Sequence, residues 1–89
     1  MYVIYFIIDE DSGKTYIGFS DNIARRLREH KQGKVRTTKS FGKIRCCILE
    51  RIEDLSTARK RERYWKAGSG RKKIKKNFEK LKNNSVSVM

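Results

Sequence analysis

The chain has no proline, only two cysteines, a single histidine, and 10 acidic residues against 23 lysines and arginines. Cys46 and Cys47 are neighbours, and neighbours on a strand point to opposite faces, which argues against a bond between them. A zinc site needs more thiol or imidazole ligands, at suitable spacing, than this sequence offers. The cysteines therefore read as reduced thiols of an intracellular protein, with one of the pair packed inside. No apolar run is long enough to span a bilayer, since Tyr2–Ile8 ends directly in Asp9-Glu10-Asp11, and there is no signal-peptide pattern and no internal repeat. A soluble protein without membrane partners is expected, in the cytoplasm.

What the chain does have is positive charge. Its formal net charge is +13 on 89 residues, with 37% hydrophobic and 37% charged content. That is enough apolar material for one modest core, under a densely charged surface. An excess of this size repels itself and favours a polyanionic partner, DNA first, with RNA also open. If that partner is DNA, the protein is expected to associate with the bacterial nucleoid.

Hydrophobic patterning divides the chain. Tyr2–Ile8 is apolar without alternation, as expected of a strand covered on both faces and therefore central. Lys14–Phe19 reads as its hairpin partner across a polar turn containing Gly13. A helix follows from about Asp21 to Lys31, capped by Ser20 or Asp21 and ended by Gly33. Its apolar stripe is Ile23, Ala24 and Leu27, with His30 inside the stripe and Arg26 on its edge. Lys34–Lys43 reads as a mobile basic loop whose Lys34, Arg36, Lys39 and Lys43, with Thr37, Thr38 and Ser40, suit phosphates, or else as a solvated linker. Ile44–Arg51 is a third strand. A second helix, from Asp54 or Ser56 to about Ala67, turns Leu55, Ala58 and Trp65 inward. Gly68-Ser69-Gly70 breaks it, and a third helix from about Arg71 to Lys82 carries Ile74, Phe78 and Leu81 inward and Lys72, Lys75, Lys76 and Lys80 outward. The expected fold is a small α/β (α+β) domain over residues 1–82, a three-stranded antiparallel sheet flanked by three helices, with 83–89 a disordered tail.

Five residues carry the chemistry. The hairpin supplies Tyr5 and Tyr16, and the first helix supplies Arg26 and His30, four apart and so on one face. Glu62 falls in the middle of the inward face of the second helix. A carboxylate there is costly unless it meets a cation, either a salt bridge to Arg26 or a neighbour, or a metal.

The order Val3-Ile4-Tyr5, Tyr16-Ile17-Gly18, then Arg26 and His30, with a spacing of eleven from one tyrosine to the other, resembles the GIY-YIG nuclease superfamily. Ala58-Arg59-Lys60-Arg61-Glu62 resembles the helix that bears that family's metal-binding glutamate. The resemblance runs from about Tyr2 to Lys73 and is closest to small stand-alone bacterial members, more distantly to the nuclease part of excision-repair and homing enzymes. Val3 stands where the family name has glycine, and Phe19 where some relatives carry a lysine. The resemblance implies a Mg²⁺- or Mn²⁺-dependent endonuclease acting on DNA in repair, recombination or restriction. Glu62 would be its metal ligand, with Tyr5, Tyr16, Arg26 and His30 around the scissile phosphate and one of the two tyrosines activating water. The competing reading keeps the fold and the charge in a nucleic-acid-binding module that cuts poorly or only with a protein partner that supplies specificity.

Overall fold

The computed structural model describes residues 1–86. Strand β1 (Tyr2–Asp9) and strand β2 (Thr15–Ser20) form the expected hairpin, with Ile8 paired to Thr15 and Val3 to Ser20. The turn between them is held by Asp9, whose carboxylate accepts from the Asp11 amide at 3.1 Å and the Ser12 hydroxyl at 2.7 Å. Gly13 supplies the left-handed residue there, at φ 79°.

Strand β3 (Ile44–Ile52) pairs antiparallel with the other side of β1, and Ser85–Val86 add a two-residue strand, β4, beyond it. The order β2-β1-β3-β4 puts β1 inside the sheet, as its continuous apolar run requires. The fourth strand corrects the expected three and draws residues 85 and 86 out of the expected tail; residues 87–89 lie outside the described residues. β4 has no periodicity to betray it, because two residues make no pattern.

The alternation of β1 builds two cores. Val3, Tyr5 and Ile7 face helix α1 (Ile23–Lys31) and pack with Leu27 and Cys46. Ile4 and Phe6 face the opposite layer, where helix α2 (Leu55–Lys66) and helix α3 (Gly68–Lys76) contribute Ala58, Trp65 and Ile74. Each fully buried Leu or Ile stabilises the fold by about 1.5–3 kcal/mol relative to exposure. Both cysteines are buried, Cys46 toward α1 and Cys47 toward α2, because β3 is covered on both faces; the expectation of one packed thiol was half the count. Burial pushes the Cys46 thiol up to about 12, which suits an inert packing group.

The helices differ from expectation at their ends. The cap of α1 is Asn22, whose Oδ1 accepts from the Arg25 amide at 3.0 Å, while Ser20 holds the Asn22 amide at 2.9 Å. Asp54 caps α2 through the Thr57 amide at 2.8 Å. Leu55, expected inside, is 38% exposed, since the first residue of a helix projects past its packed face. The Gly-Ser-Gly segment lies inside the first turn of α3 rather than between helices, and the expected third helix divides at Asn77 into α3 and a short α4 (Phe78–Leu81), giving four helices in place of three. Among the described residues no helix is long and apolar enough to cross a membrane.

Candidate active site

Tyr5 and Tyr16 reach one face of the sheet from adjacent strands, and Gly18 is the reason they fit. Gly18 pairs with Tyr5 across the hairpin, and a side chain there would stand 2.7 Å from the Tyr5 hydroxyl. The register between β1 and β3 also shifts between Ile4 and Tyr5, a bulge of the kind that re-aims a side chain. Tyr5 is left 1% exposed, beneath α1.

Helix α1 brings His30 onto this spot, 3% exposed. The Tyr5 hydroxyl and His30 Nε2 are 2.9 Å apart, and His30 Nδ1 and Thr38 Oγ1 are 2.6 Å apart. The Tyr16 ring centroid lies 5.0 Å from that of His30 and 6.1 Å from that of Tyr5. Arg26, one turn before His30, is half-buried and pairs with Glu29 at 3.0 Å. Its guanidinium also interacts with both phenols. Arginine can only donate, so the proton of the Tyr5 phenol is assigned toward His30 Nε2, which places the ring proton on Nδ1, facing Thr38.

The electrostatics follow from burial. Loss of water raises the Tyr5 phenol well above the usual tyrosine value, and the Arg26 guanidinium opposes the shift without cancelling it. Burial first, then the charge of Arg26, lowers His30 to about 4, while Glu29 pulls the other way. The resting cluster therefore holds a protonated phenol against a neutral imidazole.

Thr38 was not legible as a site residue. It sat among hydroxyls expected to meet phosphates, in a segment expected to be mobile. Instead the segment makes a 3-10 turn at Arg36–Thr38, Thr38 is buried against His30, Phe41 packs into the core beneath α1, and Lys43 accepts from the Glu10 amide. Loops carry no periodicity, so the anchoring left no sequence signal.

Glu62 stands apart from these four. It lies on α2, in the opposite layer, with its side chain 20% exposed and its carboxylate 3.4 Å from the Lys66 ammonium. Of the salt bridges weighed from the sequence, to Arg26 or to a neighbour, the neighbour's is the one found, with Lys66, while Arg26 pairs with Glu29. Lys66 and Tyr16 nevertheless line one cleft at the open edge of β2. Among the described residues no three His, Cys, Asp or Glu side chains converge on a metal position. A lone, partly open carboxylate does fit a hard cation that keeps its waters and completes its shell with substrate phosphate oxygens. It does not fit a caged ion.

Helix α2 also carries a cluster that the sequence did not show. Glu50 Oε2 accepts from Arg61 Nε and from Trp65 Nε1, each at 2.7 Å. Burial works against the Glu50 charge, but these two donors outweigh it and hold its carboxyl below the usual range. The cluster ties α2 to β3 and so fixes the helix that bears Glu62.

A family model described as the GIY-YIG catalytic domain matches residues 1–80. The chain belongs to the GIY-YIG family. It is also 40% identical, over 83 residues, to a UPF0213 protein of Syntrophus aciditrophicus (strain SB), with 86% of this chain and 95% of that protein covered. No solved structure matches it. Membership in the GIY-YIG family implies nuclease-type chemistry and a nucleic-acid substrate. Of the cations expected to grip that substrate, Lys34, Arg36, Lys39 and Lys43 are exposed between α1 and β3, and Lys72, Lys75, Lys76 and Lys80 are exposed on α3 and α4.

Proposed function

We propose that the protein is a divalent-metal-dependent endonuclease that hydrolyses phosphodiester bonds of DNA, in repair, recombination or restriction. The observation that carries this reading is the buried chain Thr38–His30–Tyr5, with Tyr16 and Arg26 at its outer end. Such a chain moves a proton. As water attacks phosphorus, the Tyr5 oxygen takes a proton from it while the Tyr5 proton passes to His30 Nε2. A new P–O bond forms, the opposite P–O bond breaks with its electron pair on the leaving oxygen, and that oxygen takes a proton from solvent. Thr38 Oγ1 accepts from Nδ1 of the resulting imidazolium. Neutral His30 is competent to accept, and an arriving phosphate anion favours its charged form.

Arg26 is always charged and presents a planar fork that can hold two phosphate oxygens. Tyr16, half-buried at the cleft, is placed to orient the attacking water. Glu62 would hold Mg²⁺ or Mn²⁺, which when bound offsets charge building on the phosphate. This assignment makes Tyr5 the base and Tyr16 the positioning phenol, a division on which the sequence was silent.

One observation favours a second reading, a binding module of the same fold that does not cut alone: Lys66 already occupies the Glu62 carboxylate. Nicking of plasmid and branched DNA with Mg²⁺, Mn²⁺ or chelator, paired with a metal-free melt, separates the two. In Glu62→Gln we expect nicking to fall by orders of magnitude, because the charge that recruits the cation is gone. The melt should barely move, since a partly exposed i,i+4 pair contributes only about 0.3–0.5 kcal/mol. Metal-free DNA affinity should stay equal or rise. Tyr5→Phe should abolish cutting as well. Nicking that survives Tyr5→Phe would sink Tyr5 as the base, nicking in chelator would sink the metal dependence, and no nicking of either DNA with Mg²⁺ or Mn²⁺ would sink the nuclease reading.

A further inference from the structure

The two basic stretches lie on opposite layers of the sheet. Residues 34–43 follow α1 on one face, and the cations of 71–82 sit on α3 and α4 over the other. They come together at the open edge of β2, in a cleft lined by Thr15, Tyr16, Ile17, Thr37, Lys66 and Arg71. Thr37 comes from the first stretch, Arg71 from the second and Lys66 from α2. Tyr16 is shared with the catalytic cluster, its ring 5.0 Å from His30.

The cleft has the chemistry of an anion site. No carboxylate lines it. The exposed Arg71 guanidinium makes no ion pair or side-chain hydrogen bond among the described residues. Lys66 is 48% exposed in its side chain and tied to Glu62 at 3.4 Å, long enough for the ammonium to serve a second anion. A merely solvated basic face would scatter its cations, whereas here two cations and a hydroxyl from three separate elements converge beside a tyrosine of the site.

We propose that this cleft is a phosphate subsite, holding the phosphodiester of the DNA strand adjacent to the one that is cleaved. Arg71 and Lys66 contact its oxygens, with Thr37 as a neutral donor, and the strand crosses the β2 edge from the 34–43 stretch to α3. The inference rests on the nuclease reading for the word adjacent, because Tyr16 marks the end of the cleft where cutting occurs. Base identity plays no part in such a contact, so the subsite sets register along the strand and not sequence preference.

The test uses the full chain in chelator with a fluorescent branched DNA whose arms are too short for the protein to bind in more than one register, and in which one phosphate at a time is replaced by a neutral methylphosphonate. In the wild-type protein, one linkage should weaken binding about tenfold, the worth of a charge-assisted hydrogen bond. In Arg71→Gln that same linkage should bring no further loss, and Arg71→Lys should restore part of it. The slope of log affinity against log salt should shrink by about 0.9 in Arg71→Gln. Losses that add at every linkage, an unchanged slope, or no binding by the wild-type protein would each overturn the subsite. Cleavage is not needed for any of these readouts. A linkage-specific loss without nicking on addition of Mn²⁺ supports the subsite and overturns the nuclease reading; additive losses with nicking intact overturn the subsite alone.

Discussion

His30 is held between two hydroxyls, and its burial away from water, then the charge of Arg26, disfavour the imidazolium. Its folded value of about 4 lies below the unfolded value of 6.5. Between these two values the unfolded chain binds the extra proton and the folded chain does not, so stability rises with pH across that window. The gap corresponds to at most about 3 kcal/mol, gained between pH 4 and 6.5 and constant above it. Urea unfolding across that range should show the rise in the wild-type protein, and His30→Gln should flatten it. A wild-type profile already flat there would mean that His30 is protonated in the folded state, and the proton path from Tyr5 would close. Asp9 and Glu50 act lower down: their depressed carboxyls add stability that is lost only as pH falls below the ordinary carboxylate range.

The junction of α2 and α3 shows how one glycine sets the course of two helices. Gly70 is buried, and a Cβ there would meet the Tyr64 carbonyl and stand 2.8 Å from the Trp65 carbonyl. Backbone cannot rotate away as a side chain can. Alanine is favoured over glycine in a helix interior by about 1 kcal/mol, but overpacking costs about 1–3 kcal/mol and more against a rigid neighbour. The clash wins. Gly70→Ala should lower the melting temperature by at least about 5 °C, and Gly68→Ala, with nothing within 4 Å of its Cβ, should leave it unchanged or slightly higher. Thermal melts of the two variants side by side decide this; an unchanged melt for Gly70→Ala would mean that α3 docks with slack. Because α2 also carries Glu62 and Lys66, a shift at this junction should slow nicking as well.

At the scale of the whole molecule, a net charge of +13 surrounds a body about 30 × 27 × 23 Å across. Such a surface binds polyanions by releasing their counterions. If about five phosphates are contacted, log affinity should fall against log salt with a slope near −4. Replacing Lys72, Lys75, Lys76 and Lys80 by Gln should weaken binding to every sequence alike, because these cations are exposed on α3 and α4 and are expected to meet backbone and not base edges. Titration of two unrelated duplexes over a range of salt checks both statements. A loss confined to one duplex would show that α3 reads bases.

The sequence by itself determined the hairpin, the central strand, the three main helical segments and four of the residues that meet at the site. Each of these rests on periodicity or on a turn signal: β1 is apolar from Tyr2 to Ile8 because both its faces are covered, and Arg26 and His30 share a helical face because they are four apart. Only the tertiary structure decided what lies between elements. Thr38 reaches His30 from a turn with no period, Ser85–Val86 pair with β3 through backbone bonds that carry no side-chain pattern, and α3 starts at Gly68, with Gly70 in its first turn passing close to the backbone of α2. The helical wheel placed Glu62 inward, yet its carboxylate meets Lys66 and not Arg26, since α1 and α2 pack on opposite faces of the sheet. A wheel records direction about one axis; which side of the sheet that axis occupies is settled only when the strands pair.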